Sequence, residues 1–284
     1  MSEKKLLLTG ASGFLGSRTK QYYEGRYELL TPTHAELDLC REQAVKRYLE
    51  EQRPEYVFHT AAVSATGQCQ EDPEGTRTLN VEAVGFLAKA CNLVGAKLIF
   101  CSSDQIYSGA PGREAHREED AVSPVNVYGQ QKLEAEQLCM EWCPEAVCLR
   151  LSWMYDRKVL PGEHGNFLAT FLQAVKLGES VCYPIYDYRG LTDVNLVIKE
   201  LEKTFCLPGG IYNYGSGNRF STYETVQRVM ENCGFPPELL QKNETAFAQA
   251  PRNLCMNGEK AERYGIRFPN TMEHLIQVIK NQTE

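Results

Sequence analysis

Along roughly the first 155 residues, apolar positions fall into two alternating rhythms. Short apolar runs at 5–9, 27–31, 56–59, 97–102 and 146–151 are four to six residues long, and they read as strands. Between them lie longer stretches with a polar and an apolar face, at 15–23, 41–51, 76–94 and 124–140, which read as helices. Strands alternating with helices predict an α/β fold, a doubly wound parallel sheet covered on both faces.

Beyond Trp153 the rhythm changes. Pro161, Gly162 and Gly165 mark a loop, followed by helical patterns at 166–177 and 192–205 and a late strand at 210–214. A further helix is predicted over 221–232, with Ser221 as its N-cap and Glu224 three residues on, the spacing of a capping box. The tail, about 235 to 284, mixes short helices with turns marked by proline. The expected organisation is a larger domain of residues 1–155 with about 190–215, and a smaller, mixed one of 156–189 with 216–284.

Composition narrows the class. A content of 43% apolar and 24% charged residues is that of a globular protein, and 284 residues suffice for a sizeable core. A net charge of −7 argues against a general affinity for nucleic acid, which needs lysine and arginine against phosphate. Lys4-Lys5 and Leu6-Leu7-Leu8 mimic a short signal peptide, but Gly10, Ser12, Gly13, Gly16 and Arg18 interrupt the run. No stretch approaches the ~20 apolar residues of a membrane span, so a soluble, cytoplasmic protein is expected. The eleven cysteines show no metal-ligand spacing even at Cys139, Cys143 and Cys148; reduced, mostly buried thiols and no metal are expected. His116 and His164 read as surface histidines.

The first strand–turn–helix carries a chemical signal. Thr9-Gly10-Ala11-Ser12-Gly13-Phe14-Leu15-Gly16 follows a strand and opens a helix. Gly10 suits a tight turn, Gly13 lets backbone approach a pyrophosphate, and Gly16 lets helix and strand pack closely. A helix N-terminus there offers free N–H groups and the positive end of the helix dipole to phosphates. The sheet is therefore read as of the Rossmann type, the larger domain as its dinucleotide-binding part and the smaller as a substrate domain. An acid after the second strand would bind a ribose 2′-hydroxyl and repel a 2′-phosphate. That region reads Thr31-Pro32-Thr33-His34, with no acid before Glu36, and Arg18 is placed to reach a phosphate. NADP (as NADPH) is preferred on this reading, with NAD left open.

A second signal lies further on. Tyr128-Gly129-Gln130-Gln131-Lys132 places a phenol and an ammonium four residues apart, on one face of a helix. A cation ~4 Å from the phenol, at an effective dielectric of ~20, favours phenolate by up to ~4 kcal/mol, roughly three pKa units. That would move a tyrosine into the range of general acid–base catalysis. Phe100-Cys101-Ser102-Ser103-Asp104-Gln105-Ile106-Tyr107 closes a strand just upstream, where ligands bind in such sheets.

In these segments the chain resembles the extended short-chain dehydrogenase/reductases, whose first turn reads Thr-Gly-x-x-Gly-x-x-Gly. Glu36-Leu37-Asp38-Leu39 looks like the family's element beside the adenine, and His59-Thr60-Ala61-Ala62 resembles its loop over the cofactor. Asn80-Val81 resembles the helix pair that follows. The resemblance implies a cofactor set of Gly10, Ser12, Gly13, Phe14, Leu15, Gly16, Arg18, Asp38, Leu39, Thr60, Ala61, Ala62, Tyr128 and Lys132. It implies a catalytic set of Ser103, Tyr128 and Lys132: the serine polarises a carbonyl, the tyrosine gives the proton, and the lysine steadies phenol and ribose.

Further segments are similar to the branch that holds dTDP-4-dehydrorhamnose reductase and the methionine adenosyltransferase β subunit. They are 113–120, Pro124-Val125-Asn126-Val127-Tyr128-Gly129, Leu149-Arg150-Leu151-Ser152-Trp153-Met154-Tyr155, Gly165-Asn166-Phe167, Gly190-Leu191-Thr192 and Ala250-Pro251-Arg252-Asn253. The branch implies reduction of a nucleotide-sugar carbonyl, with Ser103, Asp104, Trp153, Asn166 and Arg252 on the substrate side. Trp153 reads either as a core aromatic or as a wall of the sugar pocket. Arg252 reads as a bidentate holder of diphosphate or as a solvated surface arginine. Departures at 63–70 and at Gly190-Leu191-Thr192 fall where the branch borders its substrate. Two alternatives stay open, a nucleotide-sugar epimerase and a non-catalytic, dinucleotide-binding regulatory subunit; a homodimer is compatible with each.

Overall fold

The computed structural model describes residues 4–110, 112–160 and 165–281. The chain opens with β1 (Lys5–Thr9), α1 (Phe14–Tyr23), β2 (Glu28–Leu30), α2 (Glu42–Gln52) and β3 (Tyr56–His59). Next come α3 (Thr66–Glu71), α4 (Pro73–Arg77), a π-helical turn at Thr78–Glu82 and α5 (Ala83–Val94). β4 (Lys97–Ser103) runs into a 3₁₀ turn at Asp104–Tyr107, followed by α6 (Val127–Trp142) and β5 (Val147–Leu151). Shorter elements follow: β6 (Trp153–Tyr155), α7 (Phe167–Leu177), β7 (Val181–Pro184), β8 (Asp187–Arg189), β9 (Leu191–Asp193) and α8 (Val194–Thr204). The last are β10 (Gly210–Tyr214), α9 (Thr222–Cys233), β11 (Leu240–Asn243), β12 (Arg252–Leu254), α10 (Glu259–Glu262) and α11 (Thr271–Lys280).

Two compact units emerge. The first is built on the chain up to Ile106, with Pro124–Arg150 and Ile198–Tyr212. Its frame is a six-stranded sheet in the order β10-β5-β4-β3-β1-β2, in which β1 pairs parallel with β2 and β3, and β3 with β4. The doubly wound arrangement expected from the alternating rhythm is therefore present. On one face, Leu7, Val57, Leu98 and Phe100 of the strands pack with Val84, Leu87 and Cys91 of α5 and Ala135 and Cys139 of α6. Each of the valine, leucine and phenylalanine side chains among them contributes about 1.5–3 kcal/mol on burial. The strand order reverses at β1, so the carboxyl ends of β1 and β3 border the crevice where ligands bind in such sheets.

The second unit gathers Tyr107–Ser123, Leu151–Val197 and the chain from Asn213 on. Its core joins Phe167, Leu168 and Phe171 of α7 with Val226 and Met230 of α9 and Leu275 and Ile279 of α11. The anticipated capping box is there: Glu224 N–H donates to Ser221 Oγ, and Ser221 N–H donates back to the Glu224 carboxylate.

Several expectations need correction. The predicted single helix over 76–94 is interrupted by the π-helical turn, and α3 was not anticipated. The mixed tail and the stretch around 181–193 hold short strands, paired as β6 with β9, β8 with β12 and β7 with β11. His116 is not a surface histidine: its ring stacks on Tyr107 with centroids 4.5 Å apart, and Nε2 lies 3.1 Å from the Asn253 carbonyl. All eleven cysteines are free, and seven are buried. Pro161, Gly162 and His164 lie outside the described residues. Among the described residues no helix is long and apolar enough to cross a membrane.

Candidate active site

The glycine turn is built by close approach. Gly10 adopts φ +70, and a Cβ there would sit 2.6 Å from the Ala61 nitrogen at the end of β3. A Cβ on Gly16 would come 2.0 Å from the Gly10 carbonyl oxygen, so helix and turn can nest only with glycine at both places. Around Gly13, by contrast, the nearest atom to such a Cβ is 3.4 Å away, and the space is open. Gly13 is the N-cap of α1 without a side-chain cap, and no acid stands in the first turn. The first N–H groups of α1 are thus left for an outside anion.

Beside the turn lies a cavity of about 580 Å³, of the size expected for a small-molecule site. Of the sequence-predicted residues, Gly10, Ser12, Asp38, Leu39 and Ala61 line it. Thr60 holds the strand ends together, its hydroxyl donating to the Thr9 carbonyl at 2.8 Å, and Ala62 follows it half-buried. Leu15 is buried against the fold. Arg18 is not on the cavity wall: it is buried, donates to the Phe14 carbonyl at 2.9 Å, and lies 4.1 Å over the Phe14 ring. The wall instead includes Lys20, Thr31, Thr33 and His34, which sequence reasoning did not select. A signal existed, since Lys20 follows Gly13 by seven residues, two turns along one helix face.

The second cluster forms where α6 meets the end of β4. Asn126 caps α6 by accepting from Gly129 N–H at 2.8 Å, and its amide donates to Gln105 Oε1 at 3.2 Å. A Cβ on Gly129 would stand 2.4 Å from the Gln105 carbonyl oxygen, so glycine allows the helix to seat on the 3₁₀ turn. This brings Tyr128 close enough to Ser103 for the serine hydroxyl to favour the phenolate. Ser103 also donates to Asp104 Oδ1 at 3.3 Å and accepts from Gln105 N–H at 3.2 Å. Lys132 Nζ donates to the Cys101 carbonyl at 2.8 Å and lies 5.7 Å from the centre of the Tyr128 ring.

The electrostatics differ from the sequence expectation. Burial pushes the Tyr128 phenol well above its ordinary range, Asp104 adds to the rise, and the Ser103 hydrogen bond opposes it. Lys132 does not dominate, because it is itself desolvated and turned to the Cys101 carbonyl; burial lowers it from 10.5 to about 8. His59, under the same helix, is buried and pushed down to about 3, by desolvation first and Lys132 second. It stays neutral, with Nδ1 2.7 Å from Thr9 Oγ1 and Nε2 without a partner among the described residues.

Below this pair a polar network fixes the helix. Asn80, carried by the π-helical turn, accepts from Val63 N–H at 2.8 Å and donates to Gln131 Oε1 at 2.7 Å. Gln131 in turn donates to the Pro73 carbonyl and to Thr76 Oγ1, each at 2.9 Å. Gln131 was not anticipated. Arg150 of β5 donates to both carboxylate oxygens of Glu136, at 3.0 and 2.8 Å, pinning α6 from its other end.

The remaining substrate-side residues lie in the second unit. Trp153 is 40% exposed, which excludes a core role; the Arg189 guanidinium stands 4.6 Å over its ring, and Phe167 meets it edge-on. Asn166 caps α7 through Ala169 N–H, while its buried Nδ2 has no partner among the described residues. Arg252 is not a free surface group: Nε donates to the buried Asp187 at 2.8 Å, and the guanidinium lies 4.0 Å over Phe247.

With this geometry in place, comparison with known proteins is informative. Residues 4–284 match the family described as RmlD substrate binding domain. The chain is 25% identical to a dTDP-4-dehydrorhamnose reductase of Aggregatibacter actinomycetemcomitans, over 99% of each chain. It is 28% identical to the methionine adenosyltransferase 2 subunit beta of Pongo abelii, over 93% of this chain and 83% of that one. The crystal structure of a dTDP-4-dehydrorhamnose reductase from Bacillus anthracis in complex with NADP superposes with a TM-score of 0.85. That pair is 21% identical over 99% of this chain and 100% of the other, a likeness of fold.

Proposed function

The chain belongs to the RmlD substrate binding domain family, and from that premise we propose that it reduces a nucleotide-sugar carbonyl at the expense of a nicotinamide dinucleotide. The reaction is of the dTDP-4-dehydrorhamnose reductase type, carried out in the cytoplasm, where eleven free thiols are at home. The observation that supports this reading most is the meeting of Ser103, Tyr128 and Lys132 at the end of β4, in the unit that also carries the glycine turn. On this reading the first unit binds dinucleotide and the second shapes the substrate pocket through Trp153, Asn166 and Arg252.

The residues fit a dinucleotide: the uncapped start of α1 suits a diphosphate, and the cavity along Asp38, Leu39 and Ala61 suits the adenosine end. When bound, the dinucleotide supplies the hydride. Everything else is done by the chain. Ser103 donates a hydrogen bond to the carbonyl oxygen and orients it. Tyr128, held protonated by burial, is an acid in the correct form at neutral pH. It releases its proton only as negative charge builds on the carbonyl oxygen, and the Lys132 ammonium stabilises the phenolate left behind. The dry surroundings strengthen both interactions. NADPH is the favoured dinucleotide, because the stretch after β2 offers hydroxyls and an imidazole where an acid would read a 2′-hydroxyl.

The test is oxidation of NADPH and NADH against a panel of 4-keto nucleotide sugars. Turnover of one of them is the expected result. Dinucleotide binding with no turnover of any would favour the regulatory reading, which the likeness to the adenosyltransferase subunit supports.

A further inference from the structure

We propose that Lys20, which shares the cavity wall with Thr33 and His34, reads the ribose 2′-phosphate of the dinucleotide and sets the preference for NADPH. This inference rests on the dinucleotide reading above and names the residue that discriminates within it.

Three observations carry it. First, Lys20 lines the cavity whereas Arg18, the nearer basic residue in sequence to the glycine turn, is buried under Phe14. Second, the Lys20 side chain is exposed, and among the described residues its ammonium has no hydrogen-bond or ion-pair partner. The carboxylate on the same wall, Asp38, is engaged, accepting from Cys40 N–H at 3.0 Å and standing 3.2 Å from Arg41 Nε. The wall therefore presents an uncompensated cation to whatever enters. Third, the turn after β2 already attracts an anion: the Glu36 carboxylate accepts from Thr33 N–H at 2.7 Å and from Thr33 Oγ1 at 2.9 Å. A phosphate monoester matches the ammonium in charge and would share the Thr33 donors only by displacing Glu36 from them, whereas a ribose hydroxyl has no use for a full positive charge. Glu36 itself is not on the cavity wall, but its charge opposes a phosphate at Thr33.

The experiment measures dissociation constants of NADPH and NADH for the full chain by calorimetry, in the wild type, Lys20→Ala and Glu36→Gln, with circular dichroism confirming the fold. Lys20 is an exposed helical position, where alanine is well tolerated. The expected result is NADPH bound more tightly than NADH by the wild type. Lys20→Ala weakens NADPH ~10-fold, the lower end for a charge-assisted contact at an exposed site, and leaves NADH within about 2-fold. Glu36→Gln moves NADPH affinity the other way, by a few-fold. Equal losses of both dinucleotides in Lys20→Ala, or no loss of either, overturn the assignment of Lys20 while leaving the dinucleotide site standing. A wild type that binds neither overturns the dinucleotide reading itself, and this inference falls with it.

Discussion

The first unit holds two lysines in opposite surroundings, one at the cavity beside the glycine turn and one on α6 beside the end of β4. Lys20 stands exposed at the rim of an open cavity, among threonine hydroxyls and an imidazole. Lys132 is buried, packed 4.7 Å over the Phe100 ring, with the Cys101 carbonyl as its partner. In water a charge is screened by salt; in a dry pocket it is costly, shifts its pKa, and acts strongly on near neighbours. The open end is thus suited to telling one ligand from another, and the buried end to controlling a proton. The contrast can be broken by experiment at either end.

The largest effect is expected at the buried end. Tyr128→Phe removes the proposed acid and leaves ring packing in place, so turnover of a confirmed substrate should fall by ~10²–10⁴-fold with dinucleotide affinity nearly unchanged. Full activity in that variant would place the proton donor elsewhere. At the other end, Gly13→Val should weaken both dinucleotides by ~10²-fold, since a side chain would fill the space before the free N–H groups of α1. Its backbone, φ −77 and ψ 175, accepts valine, so the fold should survive. An unchanged affinity by calorimetry would remove the glycine turn from the phosphate site.

How much of this was legible in the residues depends on the range of the forces involved. The strand–turn–helix at 5–23 was legible because glycine spacing and one apolar run are local features. The Tyr128–Lys132 spacing was legible as well, but not its electrostatics: burial by the fold raises the phenol first, and Asp104, Cys69 and Cys101, distant in sequence from Tyr128, add to the rise. Arg18 illustrates the same limit on a smaller scale, because nearness to Gly16 says nothing about which way a helix face turns; only the seven-residue step from Gly13 singles out Lys20. The second unit was least legible. Its strands are three or four residues long and pair across long gaps, Trp153 with Leu191 and Arg252 with Asp187, so no periodicity announces them. The burial of His116 against Tyr107 likewise follows from a contact no local pattern encodes.

A smaller effect separates function from stability at Lys132. Its pKa falls from 10.5 to about 8 on folding. Below about pH 8 both folded and unfolded chains hold the proton, and the fold bears the full cost of burying a cation. As pH rises from about 8 to 10.5 the folded state releases the proton first and that cost fades. At pH 7, therefore, Lys132→Met should stabilise the protein by roughly 1–3 kcal/mol in urea unfolding, while reducing turnover and dinucleotide affinity. The same titration predicts that wild-type turnover falls as pH rises through about 8, when the ammonium that stabilises the phenolate is lost. A methionine variant less stable than wild type at pH 7 would mean that the contacts with Cys101 and Phe100 outweigh desolvation.

The smallest effect expected is that of salt, and it compares the two ends in a single protein without mutation. NADPH carries about 1.5–2 more negative charges than NADH at neutral pH, all of them at the ribose 2′ position. If an exposed Lys20 meets that charge, the interaction is screened once the Debye length shrinks, from roughly 14 Å at 0.05 M to about 6 Å at 0.3 M. The preference for NADPH over NADH should then narrow by about 2–3-fold across that range. If the proposed set of Ser103, Tyr128 and Lys132 carries the chemistry away from bulk ions, turnover at saturating dinucleotide and substrate should change by less. Steady-state assays with each dinucleotide at the two salt concentrations read both quantities. A preference indifferent to salt would mean that the 2′ position is read by neutral hydroxyls rather than by charge. A turnover as steep in salt as the preference would mean that ions reach the catalytic end, and the division between a screened rim and a dry interior would not hold.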